Sequence, residues 1–103
     1  MTLNSDIETY HVFFKKLSNQ LRIRIISALR KKDMSVNELV KTLGVEQSKL
    51  SHALASLKCC NIVHSKIKGK QRIYSVNNNT IIPILDIIDR HEKTFCKHCP
   101  MRK

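Results

Sequence analysis

The sequence predicts a mainly α protein with a small β-wing, a winged helix-turn-helix, from three observations. First, Val36–Leu43 reads as a helix closed at both ends. Ser35 stands at its N-cap and Glu38, three residues on, completes a capping box. Gly44 supplies the left-handed backbone that stops it. Second, another helix opens near Glu46 or Gln47, and its Leu50, Leu54 and Leu57 recur at helical spacing, turned to a core. Third, the period changes after Asn61, which terminates that helix. Val63, Ser65 and Ile67 alternate with His64 and Lys66, Gly69-Lys70 makes a tip, and residues 71–76 return with Ile73 and Val76 inward.

The flanking elements follow in chain order. Residues 7–17 form a first helix with Tyr10, Phe13, Phe14 and Leu17 on one stripe. Ser18 caps a second helix that buries Leu21, Ile23, Ile25, Ile26 and Leu29, turns Arg22, Arg24 and Arg30 outward, and ends at Lys31, Lys32 and Asp33. The helix-turn-helix occupies residues 35–60 and the wing 62–76. Asn77, Asn78 and Asn79 form a turn, and one of them or Thr80 caps a last helix over 80–95. Pro83 lies in its first turn, where a missing N–H does no harm. Ile81, Ile84, Leu85, Ile87 and Ile88 give that helix a wider apolar face than core and wing can cover. The excess predicts a homodimer through the first and last helices. A cysteine-containing tail, 96–103, completes a single DNA-binding domain of residues 1–103.

Charge points to the partner. The chain carries 19 Lys and Arg against 8 Asp and Glu, a formal +11. Between Gln47 and Leu85 stand Lys49, Lys58, Lys66, Lys68, Lys70 and Arg72 with no carboxylate. Phosphate neutralisation supplies most non-specific DNA affinity, so a one-sided basic stretch on this scaffold implies double-stranded DNA. Ser48, Ser51 and His52, joined by Gln47, are expected at base edges or adjacent phosphates. Lys49, Lys66, Lys68, Lys70 and Arg72 are expected at phosphates. An enzyme is excluded: no nucleophile–base pairing is visible, and two glycines in the whole chain leave no phosphate-cradling loop. No run of roughly 18 apolar residues exists to span a membrane. Residues 1–14 are acidic and amphipathic, unlike a signal peptide, so a cytoplasmic protein with reduced cysteines is expected.

The cysteines suggest control. Cys59 and Cys60 close the recognition helix, and Cys96 and Cys99 bracket Lys97-His98 after the last one. A Cys-x-x-Cys pair can hold one thiophilic ion, but a closed tetrahedral site needs four ligands. Cys59, Cys60, His98 and His91 are the further candidates. Zinc, cadmium, lead or cuprous ion would suit such a site, and oxidation of Cys96 and Cys99 to a disulfide is the competing chemistry. Pro100 follows Cys99 where c-type haem attachment needs His.

Residues 14–23, 36–44, 45–54 and 69–76 together resemble the ArsR/SmtB family of small repressors, and the likeness extends over nearly the whole chain. Gln20 departs from it, standing where the family has proline. The resemblance implies a dimer that binds imperfect palindromes and releases DNA when a metal or oxidant binds. The family's arsenic cysteines are missing from Ser35-Val36-Asn37-Glu38-Leu39. Asp89-Arg90-His91 matches the first half of its zinc site, and Arg102 stands in the second half. Its mycobacterial cadmium/lead branch joins recognition-helix thiolates to the C-terminal tail. Cys60 matches one of those cysteines, and Ser56 replaces the other, with Cys59 at hand as a substitute. The family also places small core residues at the position of Cys60. The alternative is therefore an effector-independent DNA-binding protein with structural cysteines.

Overall fold

A computed structural model describes residues 3–96 of the chain. The order is α1 (Leu3–Leu17), α2 (Gln20–Lys31), β1 (Met34–Ser35), α3 (Val36–Leu43), α4 (Gln47–Cys59), β2 (Val63–Lys68), β3 (Gln71–Val76) and α5 (Ile81–His91). A π-helical turn over Glu92–Cys96 follows. This is the mainly α, winged helix-turn-helix architecture expected.

The helix-turn-helix forms where its local chemistry requires it. The Glu38 backbone N–H donates to Ser35 Oγ at 3.2 Å, and the Ser35 N–H donates to Glu38 Oε1 at 3.1 Å. Gly44 takes φ +63° and its N–H closes α3 on the Val40 carbonyl. Leu50, Leu54 and Leu57 are fully buried against Ile25, Ile26 and Leu29 of α2, Leu39 of α3 and Ile62 and Val63 of the wing. Asn61, at φ +58°, ends the run as expected.

Several expectations need correction. The ribbon has a third strand: β1 pairs with β3, Met34 opposite Tyr74 and Ser35 opposite Ile73, giving the order β1-β3-β2. Tyr74, not Ile73, packs with Val76 on the core. Side chains alternate along a strand, so positions 73 and 76 cannot share a face. Ile67 is 67% exposed because its strand has run past the body of the protein by that point. Asn19, not Ser18, caps α2, its Oδ1 accepting from the Arg22 N–H at 3.0 Å. Ile23 lies on the outer side of α2. Helix α1 begins earlier than expected, and of its stripe only Phe13 and Leu17 reach the core, while Tyr10 and Phe14 are 64% and 61% exposed. Thr80 is the N-cap of α5 without a side-chain bond, and the fixing is done upstream by Asn77. Its side chain accepts from the Asn79 N–H and donates to the Asn61 carbonyl, and its own carbonyl accepts from Ile81 and Ile82. The last helix keeps α geometry only to His91.

Ile81 is buried, and Ile82, Ile84 and Leu85 pack against the core from its edge. Ile87 and Ile88 remain exposed, as does Phe95 in the π turn. Arg30 of α2 ties α5 down by bonds to Asp86 and, at 2.9 Å, to Asp89.

Candidate nucleic-acid interface

Burying one side of α4 leaves the other side polar. Gln47, Ser48, Lys49, Ser51 and His52 are all exposed, on the first two turns of the helix. Glu46, the N-cap, makes no capping bond and instead accepts from the Ser48 hydroxyl. The first-turn N–H groups of α4 thus lack the side-chain cap that α3 has. Ser56 is different: it is half-buried, and its Oγ accepts from Lys16 Nζ at 2.9 Å.

The wing distributes its cations over two faces. The register pairs Lys66 with Ile73 and Lys68 with Gln71 on the outer face. Val63 with Val76, Ser65 with Tyr74 and Ile67 with Arg72 form the inner one. Arg72 therefore extends the core-facing side beyond the body, where it donates to Ser65 Oγ at 3.1 Å. Lys70 sits at the tip beside Gly69, whose φ of +62° makes the tight reversal. Between tip and α3, Ser35, Asn37, Lys70, Gln71 and Arg72 line a cleft of about 180 Å³.

A larger groove, about 450 Å³, runs along the other flank of α4. Asn19, Leu21 and Arg22 from the start of α2 face Ser48, Lys49 and His52 across it. Sequence reasoning placed nothing functional on α2, because an arginine on an outward helical position carries no signal of what lies opposite. Arg24 is spent nearby on a 2.6 Å bond to the Leu43 carbonyl at the end of α3.

The cysteines and histidines expected to exert control lie partly within the described residues. Cys59 and Cys60 are both exposed, which corrects the alternative that Cys60 is a small core residue. Cys60 borders a groove of about 460 Å³ with Glu8, Thr9, Val12 and Phe13 of α1. Cys96 is half-buried at the end of the π turn. Cys99 and His98 lie outside the described residues. His91 is exposed and its ring lies 5.3 Å from that of Phe95. Asp89, which resembles the first residue of the family's zinc site, holds Arg30, and this bond, with Asp86 beside it, raises the guanidinium pKa further. Among the described residues no three Cys, His, Asp or Glu side chains come together as a metal site. Nor is any helix among them long and apolar enough to cross a membrane.

Comparison with known proteins agrees with this geometry. Residues 19–65 match the family model described as bacterial regulatory protein, arsR family. The chain is 37% identical over 76 residues to the HTH-type transcriptional regulator Rv0081 of Mycobacterium tuberculosis, covering 73% of this chain and 67% of that one. The crystal structure of Rv0081 superposes with a TM-score of 0.75 at 31% identity, over 87% of this chain and 89% of the other. The cadmium resistance transcriptional regulatory protein CadC of Listeria innocua is 31% identical over 85 residues, 82% of this chain and 71% of its own. A homodimeric winged helix-turn-helix DNA-binding domain of Mycobacterium bovis, Mb0332, shares the fold at a TM-score of 0.79 and 16% identity, covering 100% of this chain and 97% of its own.

Proposed function

The chain belongs to the arsR family of bacterial transcriptional regulators and is not an enzyme, and we propose that it is a homodimeric repressor whose hold on an imperfect DNA palindrome is controlled at cysteines. The observation that carries the reading is the outer side of α4. Gln47, Ser48, Ser51 and His52 stand exposed on a helix fixed by its own buried leucines. Lys49 on the same helix and the wing residues Lys66, Lys68, Lys70 and Arg72 supply cations, and the sequence has no carboxylate between Gln47 and Leu85. Small hydrogen-bonding side chains read base edges, and the cations neutralise phosphates.

The dimer is supported by apolar surface that the protomer leaves uncovered. Ile7, Tyr10, Val12 and Phe14 on α1, with Ile87, Ile88 and Phe95 at the other end of the chain, are all exposed. Covering them with a second copy would relate two α4 helices by a two-fold axis, and a palindrome whose half-sites lie about one DNA turn apart has the same symmetry.

For control, a soft ion would use Cys60, Cys96 and Cys99, with Cys59, His98 and His91 as further donors. The accessibility of Cys59 and Cys60 at the end of α4 supports this, because a ligand there pulls directly on the helix that faces DNA. Zinc, cadmium, lead or cuprous ion fits thiolate donors. The relative CadC bears cadmium resistance in its name, which favours metal control over oxidation. The test is fluorescence anisotropy on promoter DNA with reduced protein, with each ion added, and after mild oxidation. Release by one ion, restored by a chelator, supports a metal sensor. Release only on oxidation, restored by a thiol, supports a redox switch. Equal binding to promoter and random DNA refutes the repressor reading.

A further inference from the structure

We propose that the groove between the start of α2 and the flank of α4 binds a phosphate of the DNA backbone, with Arg22 as its principal cation. This rests on the DNA-binding reading above and extends it to a residue outside both the helix-turn-helix and the wing.

One flank of α4 forms a wall of the groove. Ser48, Lys49, His52 and Ser56 recur at helical spacing along it. Its C-terminal end is sealed where Lys16 Nζ donates to Ser56 Oγ. Towards the N-terminus of α4 the same stripe opens into the groove of about 450 Å³, with Arg22 on the opposite wall. Arg22 is half-buried and held in place. Its Nη1 donates to the Lys16 carbonyl at 3.2 Å, and its backbone N–H is bound by the Asn19 cap. A backbone carbonyl fixes the guanidinium without neutralising it. Among the described residues no carboxylate is in the lining itself, Glu46 accepts from the lining Ser48 hydroxyl at one end, and Lys49 adds a second positive charge beside Arg22. A guanidinium has five N–H donors, so most of the Arg22 fork is left for an acceptor. Two like charges beside one cleft repel each other, and an anion between them reverses the sign of that interaction.

The dimensions favour a phosphate of the DNA backbone as the anion. An α-helix with side chains is about 10–12 Å across and the major groove about 12 Å wide. A helix that enters the groove brings its flanks against the phosphate backbones on either side. The Arg22 groove is one such flank. A pre-positioned arginine suits phosphate because its planar fork matches two oxygens at once.

The experiment compares full-length wild type with Arg22→Gln and Arg22→Lys on promoter DNA, by anisotropy between roughly 50 and 200 mM salt. Arg22→Gln should flatten the salt slope by about one unit, equal to about a fourfold smaller loss over that range, with preference for promoter over random DNA unchanged. Arg22→Lys should stay close to the wild-type slope. Promoter duplexes carrying single methylphosphonates should reveal one phosphate per half-site whose neutralisation weakens wild type and not Arg22→Gln. A wild-type slope and phosphonate pattern in Arg22→Gln would overturn the proposal. So would equal weakening of both variants with a lowered melting temperature, which assigns Arg22 to the Lys16 anchor alone. Millimolar inorganic phosphate displacing DNA from wild type only would mark a small-anion site instead. Failure of the wild type itself to prefer its promoter strikes the underlying reading, which the same titration reports separately.

Discussion

In the α3–α4 corner, the apolar side chains go inward and what remains outside is polar or cationic. Leu39, Leu50, Leu54 and Leu57 are wholly buried, while Gln47, Ser48, Lys49, Ser51 and His52 are open. On α1 and α5 the division fails. Phe13, Leu17, Ile81 and Leu85 serve the core, yet Ile7, Tyr10, Phe14, Ile87 and Ile88 stand in water. The first region leaves no large apolar side chain uncovered, and its outside is polar and cationic. The second keeps apolar residues outside its core-facing side as well, as expected of an element that needs a second apolar surface. Stability and the proposed recognition thus fall on different faces, and substitutions should separate them.

The largest effect should come from the corner's interior. Leu54→Ala removes a fully buried side chain of the core cluster and should cost about 2–5 kcal/mol in urea unfolding. A loss under about 1 kcal/mol would mean that the corner is not the core it resembles. Next, Ile88→Glu alters an exposed position of α5 and should leave protomer helicity intact. It should abolish the dimer in sedimentation equilibrium and weaken operator binding roughly 100-fold, because two linked half-sites become separate events. A fully dimeric Ile88→Glu protein would break the contrast between the two faces.

Smaller effects sharpen the outer side of α4. His52→Ala should cost about 1–3 kcal/mol on the preferred operator and little on random DNA, with the salt slope kept. Lys70→Ala at the wing tip should weaken all sequences alike and lower the slope by about one unit. Identical profiles for the two variants would sink the division between reading and holding.

The smallest concerns the α3 cap. The Ser35 N–H and nearby Lys32 hold the Glu38 pKa below its ordinary value. A carboxylate depressed in the folded state stabilises above its unfolded pKa, and that contribution fades as pH falls through the folded one. Glu38→Gln keeps an acceptor at the cap but cannot titrate. Wild type should therefore lose stability relative to Glu38→Gln on acidification below the usual glutamate range. Parallel unfolding curves for the two through that range would refute this.

The sequence by itself determined α3, Gly44, α4 and the wing, because each rests on bonds a few residues apart: the Ser35–Glu38 box, the left-handed Gly44 and Asn61, the spacing of Leu50, Leu54 and Leu57. It also identified the exposed residues on the first two turns of α4 and the surplus apolar face of α5, whereas Ser56, expected on the same outer side, is half-buried against Lys16. Tertiary structure decided the rest. The two-residue β1 exists only because Tyr74 and Ile73 arrive beside it from far along the chain. Which of Ile73 and Tyr74 faces inward followed from register, and register from where Val63 and Val76 meet the core. Arg22, Arg30 and Lys16 look alike in sequence, as cations on helices. One borders a groove, one holds two carboxylates of α5, and one closes on Ser56. A charged side chain's role depends on what packing brings opposite it, and no local pattern encodes that neighbour.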